Sequence, residues 1–195
     1  MRLGVYGGTF DPPHLGHLVA ASDACDALRL DRLLWVPSAV HPFKAGRVRT
    51  PPELRLEMVR AAIAGDPRFA ADDLELRRAG PSYTVDTLRA LRDRHPDAEL
   101  FFLTGADNLA ELPAWREPDE VVRLARLVVV TREGGRLPPD AEVPAREVRV
   151  TRVDVSSTEV RRRAAAGETI RYLVPEPVRA LIERHGLYRE PSHGS

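Results

Sequence analysis

The stretch GGTFDPPHLGH, residues 7–17, follows a short apolar segment at residues 2–6 that has the character of a buried strand. Two glycines at the end of a strand let a ligand approach the backbone closely. The turn residues Asp11-Pro12-Pro13 then lead into residues 14–28, whose apolar spacing predicts a helix. A strand, a glycine turn and a helix start in this order favour a phosphate-binding loop, because free N–H groups and the helix dipole attract anions.

Two histidines of this stretch, His14 and His17, are three residues apart and therefore face the same side of the first helical turn. Both imidazoles can donate hydrogen bonds to phosphate oxygens as charge develops. Gly16, between them, lets a nucleotide lie against the backbone. Simpler explanations exist for each part: the glycines as a tight turn, Asp11 as a helix cap, the histidines as half of a metal site. The combination is more specific than its parts and favours a functional loop.

Farther along the chain, apolar strand-like segments alternate with segments of helical spacing. Strands are predicted at residues 32–37, 72–77, 99–104, 127–131 and 147–153, and helices at residues 51–64, 84–94, 156–166 and 175–185. This order predicts an α/β fold, a Rossmann-like doubly wound parallel sheet with helices on both faces and a C-terminal helical segment. In such sheets ligands bind beyond the carboxyl ends of the strands, so the site should lie in the loops there.

The length of 195 residues and the 43% hydrophobic content predict one domain, over residues 1–190, and a flexible tail at residues 191–195. Lys+Arg and Asp+Glu both number 29, which disfavours binding of a nucleic-acid polymer. The sequence shows no apolar run long enough for a membrane span and no signal-peptide layout, so we expect a cytoplasmic protein. One cysteine, Cys25, allows neither an intrachain disulfide nor a cysteine metal cluster.

Lysine occurs once, at Lys44, and the other basic residues are all arginine. A lysine retained in such a chain can mark a position that needs a compact ammonium group, or it can have survived by chance. The count alone leaves these two explanations open.

Residues 14–17, His-Leu-Gly-His, resemble the HxGH signature of a nucleotidyltransferase superfamily. A second stretch, VSSTEVR at residues 155–161, is similar to that superfamily's Ile/Val-Ser-Ser-Thr-x-x-Arg signature. Taken alone, the second stretch is a capped helix start, since Ser156 and Glu159 have the spacing of a capping box. A capped helix start is also an anion site, and Arg161 lies one turn later.

Four more segments resemble the bacterial nicotinate mononucleotide adenylyltransferases, and the similarity extends over residues 1–188. They are VPSAVHPFK at 36–44, SYTVDTL at 82–88, GADNLAELPAW at 105–115 and YLVPEPVRALIERHGLY at 172–188. The resemblance implies that ATP and nicotinate mononucleotide give nicotinate adenine dinucleotide and pyrophosphate, with Mg²⁺ carried by ATP and no dedicated protein metal site. It is compatible with a homodimer and does not fix the oligomeric state.

The resemblance also assigns roles to residues that match the family's segments. The catalytic residues would be His14, His17, Lys44 and Arg161. The ATP-binding residues would be Gly7, Gly8, Thr9, Phe10, Gly16, Gly105, Asp107, Arg132, Ser156, Ser157 and Thr158. The acceptor would be bound by Lys44 through its phosphate, by the backbone N–H groups of Tyr83 and Thr84 through its carboxylate, and by stacking on Trp115.

Simpler explanations of some of these residues remain open, with Asp107 as a helix cap and Trp115 as core packing. One departure from the family pattern is clear. The usual Pro-Pro-His-Lys is here His41-Pro42-Phe43-Lys44, so a histidine contact to phosphate is lost or supplied differently.

Three other functions compete with this one. A sister adenylyltransferase would use nicotinamide mononucleotide or phosphopantetheine as the acceptor. A non-catalytic nucleotide-binding module would not need His17 and Arg161, which are both present. An NAD-dependent oxidoreductase would need a G-x-G-x-x-G fingerprint, which the first loop lacks.

Overall fold

The computed structural model describes residues 1–39, 50–132 and 145–189, without the side chains of Asp107 and Arg132. Its strands are β1 Arg2–Gly8, β2 Arg32–Pro37, β3 Phe69–Ala71, β4 Glu99–Gly105, β5 Arg126–Arg132 and β6 Ala145–Val150. Its helices are α1 Leu15–Leu28, α2 Pro52–Ile63, α3 Thr84–Arg94, α4 Ala106–Ala110, α5 Pro118–Leu124, α6 Ser157–Ala165 and α7 Glu176–Arg184, with a 3-10 helix at Leu112–Ala114.

In the described ranges these six strands form one sheet in the order β3-β2-β1-β4-β5-β6, and every neighbouring pair is parallel. This is the strand order of a doubly wound sheet, so the predicted Rossmann-like α/β fold is confirmed. The order reverses at β1, which pairs with β2 on one side and β4 on the other. A crevice at the carboxyl ends of β1 and β4 follows from that reversal.

Helices cover both faces because alternate residues of each strand point to opposite sides. On one face α1 and α2 pack on side chains such as Trp35, Phe101 and Leu103. On the other face α3 and α5 pack on Leu34, Phe102 and their neighbours. The strands are therefore apolar on both faces, as the continuous hydrophobic runs of the sequence require.

The C-terminal helices form a third apolar cluster against α2. Met58 of α2, Val160 of α6 and Leu181 of α7 all belong to it. The connection between α6 and α7 also reaches the start of α1, because the backbone N–H of Leu15 donates to the carbonyl of Leu173 over 3.0 Å. This packing brings a segment from the end of the chain beside residues 7–13, called the glycine loop, near its beginning.

Two regions differ from the predicted elements. The strand predicted at residues 72–77 is wrong, because the third strand ends at Ala71 and the Asp72 carboxylate then caps a turn by accepting from the N–H of Leu74. Helices α4 and α5 were not predicted, since 5 and 7 residues are too few to show a helical period. Within the described ranges no helix is long and apolar enough to cross a membrane.

Candidate active site

Two cavities open at the carboxyl ends of β1 and β4. The larger, of about 870 Å³, lies against the start of α1 and is called the α1 cavity. The smaller, of about 450 Å³, lies against the start of α3 and is called the α3 cavity. Both are lined by Gly7, Gly8, Thr9, Thr104 and Asn108, so the cavities meet along one shared wall.

The α1 cavity brings together the two signature stretches, which are about 140 residues apart in the sequence. Its lining includes the predicted residues Phe10, His14, Gly16, His17, Gly105, Ser156, Ser157, Thr158 and Arg161. Two helix starts, two imidazoles and a guanidinium around one cavity suit an anionic ligand with several phosphate groups. These groups line one cavity, so a single ligand could contact all of them. Their individual binding roles remain predictions.

Helix α6 is tied to the glycine loop by side chains of its first turn. The Ser157 hydroxyl donates to the Pro12 carbonyl over 2.9 Å, and Arg161 Nη1 donates to the Asp11 carbonyl over 2.7 Å. The Ser156 hydroxyl caps the helix by accepting from the backbone N–H of Glu159 over 3.1 Å. The capping-box alternative is only half present, since the Glu159 carboxylate pairs with arginines of its own helix.

The two histidines are stacked at the start of α1. Their ring centroids are 3.7 Å apart, and His17 Nδ1 accepts a hydrogen bond from the backbone N–H of His14 over 3.2 Å. In neutral His17 the proton is therefore on Nε2, which makes that nitrogen the donor. Gly16 allows this packing, because a Cβ at Gly16 would lie 3.1 Å from the His14 ring. Packing thus adds a second reason for glycine beside the predicted approach of a ligand.

Phe10 turns the glycine loop away from β1. Its φ of 49° is in the left-handed region, and its buried ring packs on Tyr6, Trp35 and His17. A Cβ at Gly8 would lie only 2.8 Å from that ring, so the close approach requires glycine there. With the phenyl ring in the core, the loop contributes mainly backbone groups to the cavity wall.

The α3 cavity is lined by three of the four residues that were predicted to bind the acceptor. Tyr83 is the N-cap residue of α3, Thr84 is its first residue, and Trp115 lies opposite on the segment after the 3-10 helix. Trp115 also packs edge-to-face on Phe102, with the ring centroids 6.0 Å apart. Its half-buried ring therefore serves core packing and cavity lining together, and the two explanations are not exclusive.

Residues 5–163 match the model of a protein family described as cytidylyltransferase-like. The chain belongs to this family. A Thermus thermophilus protein named "Probable nicotinate-nucleotide adenylyltransferase" is 50% identical over 189 residues, which covers 97% of this chain and 100% of that protein. A Rubrobacter xylanophilus protein of the same name is 46% identical, over 97% of this chain and 92% of that protein. The family resemblance drawn from the signature stretches is confirmed.

Solved structures of other proteins share the fold at low sequence identity. The Plasmodium falciparum nicotinic acid mononucleotide adenylyltransferase complexed with APC has a TM-score of 0.77 and 17% identity, over 96% of each chain. The same enzyme complexed with NaAD also has a TM-score of 0.77, at 18% identity. At such identities the similarity concerns the fold alone.

Arg55 of α2 contacts the glycine loop and was not predicted from the sequence. Its side chain is 0% exposed, and its guanidinium donates to four backbone carbonyls, those of Thr9 (2.6 Å), Ser38 (2.6 Å), Ala39 (3.3 Å) and Thr50 (3.1 Å). Burial lowers the pKa of Arg55, while the charge of Asp11 opposes that effect. Its position one turn before Val59, on the apolar face of α2, is the signal that could have revealed it.

Glu75 is the second residue that was missed. It is 7% exposed, lines the α3 cavity and accepts a hydrogen bond from the Thr87 hydroxyl over 2.6 Å. Burial raises the pKa of Glu75, and hydrogen bonds from Thr87 and Ser82 partly counteract that rise. It went unnoticed because the surrounding segment was taken for an ordinary strand.

The structure does not describe the side chains of three predicted residues. Lys44, like its neighbours His41 and Phe43, lies outside the described residues. Asp107 is within α4, whose N-cap residue is Gly105, so the alternative of Asp107 as the N-cap is wrong. Arg132 is the last residue of β5, at the same edge of the sheet as the cavities. Among the described residues no cluster of three His, Cys, Asp or Glu side chains could hold a metal ion.

Proposed function

We propose that this chain is a nicotinate-nucleotide adenylyltransferase, which transfers the adenylyl group of ATP to nicotinate mononucleotide in NAD biosynthesis. One observation carries the proposal. A cavity lined by both superfamily signatures meets a second cavity, lined by Tyr83 and Trp115, along a shared wall that includes Gly7, Gly8 and Thr9. Two phosphate-bearing substrates placed in these cavities would bring their phosphates together at that wall. Relatives with this name, 46–50% identical over nearly the whole chain, support the same activity.

The α1 cavity would hold ATP. The starts of α1 and α6 supply backbone N–H groups, and Arg161 supplies a guanidinium for the β- and γ-phosphates. Gly105, Asp107 and Arg132 would approach the adenosine. His14 and His17 would contact the α-phosphate, with His17 Nε2 as the donor because its Nδ1 is already engaged.

The α3 cavity would hold nicotinate mononucleotide. The backbone N–H of Thr84 at the start of α3 would face the ring carboxylate, and Trp115 would stack on the pyridine. The N–H of Tyr83, which was predicted to share that role, donates instead to the Pro81 carbonyl over 3.1 Å. Lys44 would contact the substrate phosphate. The Thr9 hydroxyl is buried and has no hydrogen-bond partner among the described residues, so it would be a further donor to phosphate at the shared wall.

The reaction needs little covalent chemistry from the protein. An oxygen of the nucleotide 5′-phosphate attacks the α-phosphorus of ATP in line, a new P–O bond forms, and the bond to pyrophosphate breaks. Positioning of the two phosphates and stabilisation of charge account for such catalysis. Mg²⁺ would enter with ATP, bound by phosphate oxygens and water, and would neutralise part of the charge on the leaving pyrophosphate.

The test is pyrophosphate release from ATP and Mg²⁺ with three acceptors in parallel. We expect nicotinate mononucleotide to give the highest kcat/KM, above nicotinamide mononucleotide and phosphopantetheine, with nicotinate adenine dinucleotide as the product. A preference for either of the other acceptors would identify a sister enzyme. Binding of ATP without product from any acceptor would identify a non-catalytic nucleotide-binding module.

We also propose that residues 1–190 act as one domain in the cytoplasm, with residues 191–195 as a tail that catalysis does not need. Packing of α7 against α2 supports the single domain, since it links the end of the chain to its first half. A chain truncated after residue 190 should keep full activity. Sedimentation of the full chain will decide between a monomer and a homodimer.

A further inference from the structure

A carboxyl group lies in the wall of the α3 cavity where an anionic ring substituent is expected. Glu75 is on the segment between β3 and α3, and its side chain is held over the start of α3. The Thr87 hydroxyl donates to its Oε1 over 2.6 Å, and the Ser82 hydroxyl lies near enough to the same carboxyl to lower its pKa. Ser82 Oγ also accepts from the backbone N–H of Ala39 over 2.9 Å, which leaves its own proton for another acceptor.

Ser82 and Thr87 lie on the two sides of the start of α3. Ser82 precedes the N-cap residue Tyr83, and Thr87 lies in the first turn of α3. Glu75 therefore lies beside a residue before the helix start and is hydrogen-bonded to a residue after it. The backbone N–H of Thr84 lies between these two residues, and its direction depends on the turn that Glu75 holds. The N–H of Tyr83 donates to the Pro81 carbonyl over 3.1 Å.

Burial of a carboxyl group is energetically less favourable than burial of an apolar group of similar size. Removal of an ionisable group from water costs free energy that an apolar side chain of similar size would not cost. Glu75 is 7% exposed and Thr87 is 1% exposed, so the contact is well shielded from water. Burial raises the pKa of Glu75, and the hydroxyls of Thr87 and Ser82 oppose that rise.

We propose that Glu75 is a positioning residue that sets the preference of the α3 cavity for a carboxylate-bearing ring over its carboxamide counterpart. It acts through the start of α3, where it directs the backbone N–H of Thr84 toward the ligand. The inference rests on the proposed function, because it assumes that this cavity binds the pyridine nucleotide.

The experiment compares Glu75→Ala, Glu75→Gln and wild type in steady-state assays with both mononucleotides. For Glu75→Ala we expect KM for nicotinate mononucleotide to rise about tenfold or more, and the acid-to-amide ratio of kcat/KM to fall by a similar factor. KM for ATP should stay within about twofold, since the α1 cavity is untouched. Glutamine keeps an acceptor oxygen and should remain within about threefold of wild type.

The controls separate positioning from folding. Glu57→Ala on the exposed face of α2 makes the same change outside the site and should behave as wild type. If Glu75→Ala does not fold, Thr87→Val carries the test, because it removes one hydroxyl of the same network at nearly constant shape, and it should lower the acid-to-amide ratio. Three results would overturn the inference. They are an unchanged acid-to-amide ratio of kcat/KM in the folded variant, equal rises in KM for nicotinate mononucleotide and for ATP, and a glutamine variant as impaired as the alanine variant. An inactive wild type would instead overturn the proposed function itself.

Discussion

At the scale of single residues, the stacked pair of His14 and His17 shows how a backbone contact defines a chemical role. The hydrogen bond from the His14 N–H occupies Nδ1 of His17, so in the neutral ring the proton is on Nε2, the nitrogen that we propose as the donor to phosphate. Phe10 contributes by placing its ring in the core and its backbone at the cavity. The residues of the loop therefore depend on one another for their orientation.

His17→Ala should lower kcat about 10²–10³-fold with the fold intact, because a donor to the developing charge is lost. The measurement is pyrophosphate release at saturating ATP and nicotinate mononucleotide, together with a thermal unfolding curve. His185→Ala, at an exposed position after α7, is the matched control. Near-normal turnover of the His17 variant would remove this histidine from the mechanism.

Trp115→Ala should raise KM for nicotinate mononucleotide about tenfold or more and leave KM for ATP nearly unchanged, since stacking of a ring on tryptophan contributes about 1–3 kcal/mol. Trp115→Phe keeps an aromatic face beside Phe102 and should lose less. A change confined to KM for ATP would show that the pyridine binds elsewhere.

At the scale of elements, α2 connects the glycine loop to the segment that follows β2 and to the segment that precedes α2. Arg55 reaches from its buried face to the carbonyls of Thr9, Ser38 and Thr50. The guanidinium also donates to the carbonyl of Ala39, and its planar array of five N–H groups suits four acceptors, whereas an ammonium group has only three N–H donors on one nitrogen. The position of the cavity wall thus depends on a helix that does not line either cavity.

Arg55→Met should lower the free energy of unfolding by roughly 2–4 kcal/mol, because several buried carbonyls lose their donor, although removal of a buried charge offsets part of the loss. Urea unfolding measures this change, and kcat at low temperature shows the effect on the loop. Arg60→Met, an exposed change on the same helix, should cost well under 1 kcal/mol. Equal stability of the two variants would contradict the role given to Arg55.

At the scale of the whole molecule, the site exists because the strand order reverses at β1. The loops after β1 and β4 become neighbours, and α6 returns to the loop after β1 through Ser157 and Arg161. A ligand in the α1 cavity would bind segments from both ends of the sequence, and it should stabilise the whole fold rather than one part of it.

The buried thiol of Cys25 makes the stability of the fold depend on alkaline pH. Burial raises the pKa of Cys25 to about 11, so the folded state holds this proton more tightly than the unfolded chain. Stability from this source is complete below pH about 8.5 and is lost as the pH rises toward 11, with a total of roughly 2–3 kcal/mol. Denaturant unfolding at pH 8 to 11 should show a steeper loss for wild type than for Cys25→Ala. Parallel curves would contradict the assignment.

Local sequence determined the elements with a clear period and the residues that follow them. Helices α1 and α3 and strand β2 lie where the spacing predicts them, because about ten residues of apolar periodicity or a continuous apolar run leave few alternatives. The two signature stretches were also readable, since glycines, helix-start histidines and a capping serine act through local backbone geometry. The family and the α/β fold follow from that information.

Tertiary structure alone decided which distant residues meet. Arg55 and Glu75 were not recognisable as parts of the site, because a buried guanidinium and a buried carboxyl look like surface residues until the carbonyls and hydroxyls that hold them are in place. The third strand and the short helices after β4 likewise depend on packing against the sheet rather than on their own period. The two cavities and their shared wall arise from strand order, a property of the assembled sheet that local spacing does not encode.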